Sequence, residues 1–332
     1  MFINIKKYIP GMLLLIIITS ISRLTADRLP DYVGPVFIAV LLGILINNTV
    51  KINKKIYGSG IRLGLSKFLK IAIILLGAEM SFSELFQVGG RSLAVIIAVI
   101  LGVFGLAFLI GGRMKLSVRE KLLISAGLSI CGNTAIMTTA PLIEAEEEEV
   151  FMAVSIVTLF GVFAVFIYPL LGMAFNIPDQ LFGAWAGTGI YDTSQVVAAG
   201  FSYSEEAGKI ATLIKLTRNI FMAPVILLIS CFYRKNYDVA QKKVNIFKIF
   251  PMFIFGFLFV ALLNSFGLFP PTTGAFLVKT AKFLILLALS GIGLGVDLRK
   301  MKKLGFKPFA LGFFVATCMG AISFILSKLL LA

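Results

Sequence analysis

Apolar residues run along most of the chain in blocks of roughly 17–25, the length of a helix that crosses a bilayer. Eleven blocks can be read: 8–26, 33–49, 66–82, 92–110, 122–143, 150–172, 181–200, 206–232, 246–267, 275–297 and 307–331. The fourth is rich in Val, Ile and Leu. The fifth and seventh are weakly apolar and carry small and polar residues. The gaps are short, with no linker or low-complexity segment. The pattern predicts one all-α polytopic membrane domain over 1–332, with about eleven transmembrane helices, because in lipid every backbone group must find its partner within the fold.

Composition agrees. Of 332 residues, 59% are apolar and 14% charged, against about 25% charged in ordinary soluble domains. Mean hydropathy is +0.99. The chain has no histidine, which removes His-based acid–base catalysis, His–metal sites and His pH switches. Cys131, Cys231 and Cys318 lie far apart, so neither a disulfide framework nor a zinc cluster is predicted. No metal, cofactor or catalytic residue is assigned. A net charge of +15 would suggest nucleic acid in a soluble protein. Here it reads as a bias toward the inner membrane face, and no nucleic-acid partner is expected.

The loops sort by charge. Basic residues gather in 51–67, 113–121, 234–248 and 299–307. Alternate loops hold Asp27, Asp31, Glu84, Glu144, Glu146, Glu147, Glu148, Glu149, Glu205 and Glu206. With the N-terminus inside, every basic loop falls inside, these acidic loops fall outside, and the C-terminus is outside. Loop 173–180, with only Asp179, is the uninformative inside loop. Lys6 and Lys7 before the first block suit a signal peptide, but Arg23, Asp27 and Arg28 arrive before a clean cleavage site. A retained extra helix is therefore predicted at 8–26.

The count makes two five-helix units of opposite orientation, helices 2–6 (33–172) and 7–11 (181–331), as in inverted-repeat transporters. The fourth helix of each unit reads as breakable. Helix 5 carries Ser129-Ile130-Cys131-Gly132-Asn133-Thr134, then Thr138, Thr139 and Pro141. Helix 10 carries Ser290-Gly291-Ile292-Gly293-Leu294-Gly295. For these glycines two readings stand open, a helix break or close helix packing.

Helix amides freed at a break can hold an anion, and Asn133 and Thr134 beside Gly132 add donors. The alternative is hydroxyls bonding back to their own helix. In helix 7, Asp192 lies beside Thr193, Ser194 and Gln195. An acid near mid-span costs about 2.5–3.5 kcal/mol on insertion scales and marks a functional candidate. In helix 8, Lys215, Arg218 and Asn219 share a face at i, i+3 and i+4. Two cations in one span need a cavity, a counter-ion or an anionic ligand. A guanidinium suits an oxyanion. The alternative is a structural Asp192–Arg218 ion pair without ligand. Glu79, Asp297, Lys279 and Lys282 are expected near the interfaces, Trp185 as an interfacial anchor, and 144–149 as a solvated outer loop.

Four segments carry a resemblance: SICGNTAIMTTAPLIEAEE at 129–147, TLFGVFAVFIYPLLG at 158–172, GTGIYDTSQVVAAG at 187–200 and KLTRNIFMAPVILLIS at 215–230. In this order they resemble the YeiH-type membrane proteins named for sulfate export, the UPF0324 family. The resemblance spans nearly the whole chain. It implies a fold related to cation:proton antiporters and bile-acid-type transporters, with two inverted five-helix units, in a bacterial plasma (inner) membrane. The chain departs from the family pattern at Asn133 and Thr134, where many members have small residues. It departs again at Tyr191-Asp192, where many have a His–Glu pair: the acid is kept in type, the histidine is not.

The combined reading is a secondary active transporter of a small inorganic or organic oxyanion, sulfate or a sulfonate. Substrate binding is assigned to Gly132, Asn133, Thr134, Thr193, Ser194, Gln195, Lys215, Arg218 and Asn219. Coupling to H⁺ or Na⁺ is assigned to Asp192. Partners are the anion, the coupling ion and the lipid bilayer, with a homo-oligomer compatible. The alternatives are an anion channel and a membrane-embedded enzyme. The latter lacks a nucleophile–base pair, so no enzymatic activity is expected. No GxxxxGK[ST] loop is present, which argues against primary pumping.

Overall fold

The computed structural model describes residues 5–29, 34–50, 52–237, 251–295 and 305–331, and among these all regular structure is helical. Asp297 and most of the basic loops 234–248 and 299–307 lie outside the described residues. The first helices are α1 (Ile9–Ala26), α2 (Pro35–Thr49), α3 (Lys54–Leu63), α4 (Leu69–Leu76) and α5 (Phe82–Arg113). Next come α6 (Val118–Ser129), α7 (Asn133–Thr139), α8 (Glu147–Ala174), α9 (Asp179–Gly189) and α10 (Thr193–Tyr203). The last are α11 (Glu205–Ile220), α12 (Met222–Tyr237), α13 (Phe253–Ser265), α14 (Pro271–Gly295) and α15 (Phe306–Leu330). Among the described residues six stretches are long and apolar enough to cross a bilayer: Ile9–Ala26, Gly90–Arg113, Glu147–Ala174, Glu205–Tyr237, Pro271–Gly295 and Phe306–Leu330. The protein is thus a polytopic helical membrane protein.

Two helix groups pack side by side. One holds α1, α2, α3, α4, α13 and α14; the other holds α5 to α12 and α15, and α10 joins them by packing on α2 and α14. Glycine sets the closest approaches. A Cβ on Gly293 of α14 would stand 2.8 Å from the α-carbon of Gly43 in α2. This favours the close-packing reading for Gly293, whereas a Cβ on Gly295 would meet nothing within 4 Å. Among the described residues α14 is continuous from Pro271 to Gly295, so Gly293 lies inside an unbroken helix and serves close packing. A break in the fourth helix of both units is therefore not seen among the described residues; the 2–6 and 7–11 units themselves rested on the count of spans.

Blocks 122–143 and 181–200 also differ from the predicted spans. Neither is a through-running helix; each is a hairpin of two half-helices. In the first, α6 stops at Ser129 and α7 starts at Asn133. Between them Gly132 takes φ +64° and ψ −127°, a conformation open to glycine. Gly127 and Ile136 then face each other, a Cβ on Gly127 standing 2.8 Å from Ile136 Cδ1. At the open end, Ser117 Oγ donates to Glu149 Oε1 at 3.0 Å and Arg119 lies 3.7 Å from Glu146. In the second hairpin, α9 and α10 have 11 residues each, about 16 Å, half a hydrocarbon core. Its open end closes where Ser204 Oγ donates to Asp179 Oδ1 at 2.8 Å and Tyr203 stacks on Phe182 at 3.9 Å.

Loop positions change accordingly. Glu144–Glu149, expected on the outer face, lies with the basic segment 113–121. Asp179, expected inside, lies with Glu205. The reason is that a hairpin returns to the face it left, so the alternation of faces skips it. Caps fix the hairpin entrances: Ser117 and Glu120 form a capping box on α6, and Glu146 and Glu149 form one on α8. Pro141 sits in a 3₁₀ turn, Ala140–Leu142, at the exit of α7. Trp185, expected at an interface, is buried instead. It stacks on Tyr168 at 4.0 Å and donates to the Gly320 carbonyl at 2.9 Å.

Candidate functional site

The tips of the two hairpins meet. Gly132 of one tip lies against Asp192 of the other: a Cβ on Gly132 would stand 3.2 Å from Asp192 Oδ2. Four helix ends converge here. The C-termini of α6 and α9 expose carbonyls and the N-termini of α7 and α10 expose amides.

Two of the three cations of α11, Lys215 and Arg218, are fully buried at the crossing. Arg218 Nε donates to the Ser129 carbonyl at 2.7 Å and Nη2 to Leu128 at 2.7 Å. Its Nη1 donates to Thr188 at 2.7 Å and Ile190 at 3.0 Å. Lys215 Nζ donates to the carbonyls of Ile130 at 2.5 Å, Ile190 at 3.3 Å and Tyr191. One helix thus clamps the C-terminal ends of both hairpin arms. The reason is electrostatic: each end carries about half a negative charge and unpaired carbonyls. The sequence reading placed these cations against a ligand. The structure places all three Lys215 hydrogens and four of the five Arg218 hydrogens on main-chain carbonyls.

Asp192 is not ion-paired with Arg218 or Lys215 in this arrangement. It caps α10, Oδ1 accepting from Ser194 N at 2.9 Å and from Ser194 Oγ at 2.5 Å. Asn133, Asp192, Thr193 and Ser194 are partly accessible and Thr134 is exposed, whereas Gly132, Gln195, Lys215, Arg218 and Asn219 are buried. Asn133 Nδ2 donates to Thr158 Oγ1 of α8 at 3.1 Å, and Asn219 Nδ2 to Thr193 Oγ1 at 3.2 Å. The sequence-predicted residues are therefore gathered from three helices, α7, α10 and α11, and from the two hairpin turns into one locus. Three buried acceptors beside it, Ser129 Oγ, Gln195 Oε1 and Asn219 Oδ1, have no hydrogen-bond partner. Thr158 was missed. A hydroxyl inside an apolar block was its available signal. The carbonyls of 128–130 and 188–191 carry no side-chain signal at all.

Away from the tips, Glu79, expected to be solvated, pairs with Lys209 at 2.8 Å, and Lys282 pairs with Glu205 at 2.7 Å. A polar cavity of about 370 Å³ opens beside this cluster, lined by Glu79, Arg91, Gln180, Glu206 and Lys209 and reaching Ile214, the neighbour of Lys215.

A family profile described as Conserved hypothetical protein 698 matches residues 10–312. A UPF0324 membrane protein of Clostridium tetani is 35% identical over 340 residues, covering 98% of each chain. The UPF0324 membrane protein SAG1125 of Streptococcus agalactiae is 34% identical, covering 92% of this chain and 93% of its own. The UPF0324 membrane protein PA5383 of Pseudomonas aeruginosa is 33% identical, covering 93% and 90%.

Proposed function

The chain belongs to the UPF0324 family of membrane proteins, and from that premise we propose that it is a secondary active transporter of a small oxyanion, with sulfate or a sulfonate as the class to test. The observation that carries this reading is the meeting of two opposed half-span hairpins around two buried cations. Discontinuous helices at the midplane are the usual form of a carrier's binding site. The helix ends at the crossing roughly cancel, two C-termini against two N-termini. Lys215, Arg218 and Asp192 then leave a net charge of about +1, which favours an anion. With the cations bonded to carbonyls, they act as a positive field behind the site. Direct contact falls to the accessible donors Asn133, Thr134, Thr193 and Ser194, with Gln195 and Asn219 able to reorient. Asp192 shares the positive end of α10 with any bound anion, which makes it the coupling residue for H⁺ or Na⁺.

In this reading nine segments cross the membrane and two hairpins re-enter it. Removing two crossings preserves the orientation, N-terminus inside and C-terminus outside, and all four basic loops stay inside. The hairpin-plus-span units α6–α8 and α9–α12 run in opposite directions and supply the inverted repeat. The setting is the bacterial plasma membrane.

The test is flux in proteoliposomes with labelled sulfate, sulfite and an alkyl sulfonate, under imposed pH and Na⁺ gradients. Saturable, gradient-driven uptake supports the carrier. Unsaturated conductance identifies a channel, and no flux of any oxyanion removes the assignment.

A further inference from the structure

The face of the molecule between α5 and α12 carries a cavity of about 640 Å³ with almost no polar surface. Ile97, Leu101 and Phe108 of α5 form one wall and Phe221, Leu228 and Phe232 of α12 the other. Leu101 is 67% exposed and Leu228 70% exposed, so the groove opens sideways, away from the protein. From residue 97 to 108 the helix rises about 16 Å, close to the ~15 Å of one hydrocarbon leaflet. One end lies at the depth of the hairpin tips: Met222, next to Phe221, accepts from Cys131 Sγ at 3.2 Å. The other end reaches the basic face. There Lys121 Nζ stands 5.3 Å from the Phe108 ring centre. Lys235 follows Leu228 and Phe232 on the same helix stripe, at i+7 and i+3. Among the described residues neither lysine is in an ion pair.

We propose that this groove binds one anionic phospholipid, an acyl chain lying along it and the headgroup phosphate held by Lys121 and Lys235. An apolar slot one leaflet deep with unpaired cations at its mouth matches a molecule that is apolar for one leaflet and negative at the end. A second protein copy would fill the slot but would leave both cations without a counter-charge. The proposal rests on the helices crossing a bilayer and is independent of what the hairpin tips carry. The lipid tail would pack on Phe221, at the turn joining α11 to α12, three residues beyond Arg218.

The experiment is native mass spectrometry of the full-length protein in detergent, titrated with phosphatidylglycerol or phosphatidylcholine. One phosphatidylglycerol should survive activation that strips other lipids, with phosphatidylcholine held several-fold more weakly. Lys121→Gln with Lys235→Gln should weaken phosphatidylglycerol about thirtyfold, the effect of two near-surface cations. Gly105→Phe provides a steric arm: a Cβ on Gly105 meets nothing within 4 Å, so the ring can fill the groove. It should abolish the adduct at an unchanged unfolding temperature, and if that variant unfolds, the double lysine variant decides alone. Unchanged phosphatidylglycerol binding in the lysine variant overturns the proposal. So does equal retention of the two lipids, or an intermolecular Leu101→Cys to Leu228→Cys crosslink, which would make the groove a subunit seam.

Discussion

The Asp192 carboxylate packs against Gly132, so the two hairpin tips touch through a charged side chain on one and bare backbone on the other. No Cβ fits between them without displacing the carboxylate, and φ +64° at Gly132 already excludes ordinary side chains. Gly132→Ala should cost about 1–3 kcal/mol in backbone strain and separate the tips. A lowered unfolding temperature and lost flux are expected; an unchanged unfolding temperature would show that the tip is not held in this conformation.

Arg218 is expected to matter more for folding than a ligand-contacting residue would. Arg218→Lys keeps the charge but has three hydrogens for four carbonyls and a shorter reach. Unpaired buried acceptors cost about 1–3 kcal/mol each. The variant should therefore unfold at lower temperature in detergent, while Lys279→Gln should not. Normal stability with weakened anion binding would return Arg218 to direct ligand contact.

The hairpins fix a pattern of exposure. In a chain freed of Cys131, Cys231 and Cys318, single cysteines at Lys115 and Glu148 should react with an impermeant reagent from one and the same side. Cysteines at Asp179 and Glu206 should react from the other. Opposite labelling of 115 and 148 would restore a crossing helix at 122–143.

Much of this site was legible in the sequence. Polar residues beside glycine in weakly apolar blocks pointed to the two tips, and the helical spacing of Lys215, Arg218 and Asn219 placed them on one face. Hydrophobicity could not show that blocks 122–143 and 181–200 fold back. Hairpin arms buried inside protein and a through-running helix have the same composition. The glutamates at 144–149 misled for a related reason. They cap α8 and meet Ser117 and Arg119, a local arrangement that a rule based on alternating faces does not see. The glycines of α14 were ambiguous because a break and a close contact with Gly43 both require a missing side chain.

Asp192→Asn separates the cap from the charge. Asparagine caps helices as well as aspartate does, so the α10 start and the contact with Gly132 should persist and the protein should fold. What is lost is the single negative charge at a site flanked by two buried cations. In the native protein an incoming anion meets Asp192 at the positive end of α10, and the two compete for it. A proton or Na⁺ on Asp192 removes that competition, so ion and anion would bind together, which is symport in either direction. The substitution should leave anion exchange intact, tighten apparent anion affinity and abolish acceleration by an imposed pH or Na⁺ gradient. Proteoliposome uptake with and without each gradient measures all three. Full gradient-driven transport by the variant would remove Asp192 from coupling. Misfolding would make its carboxylate structural.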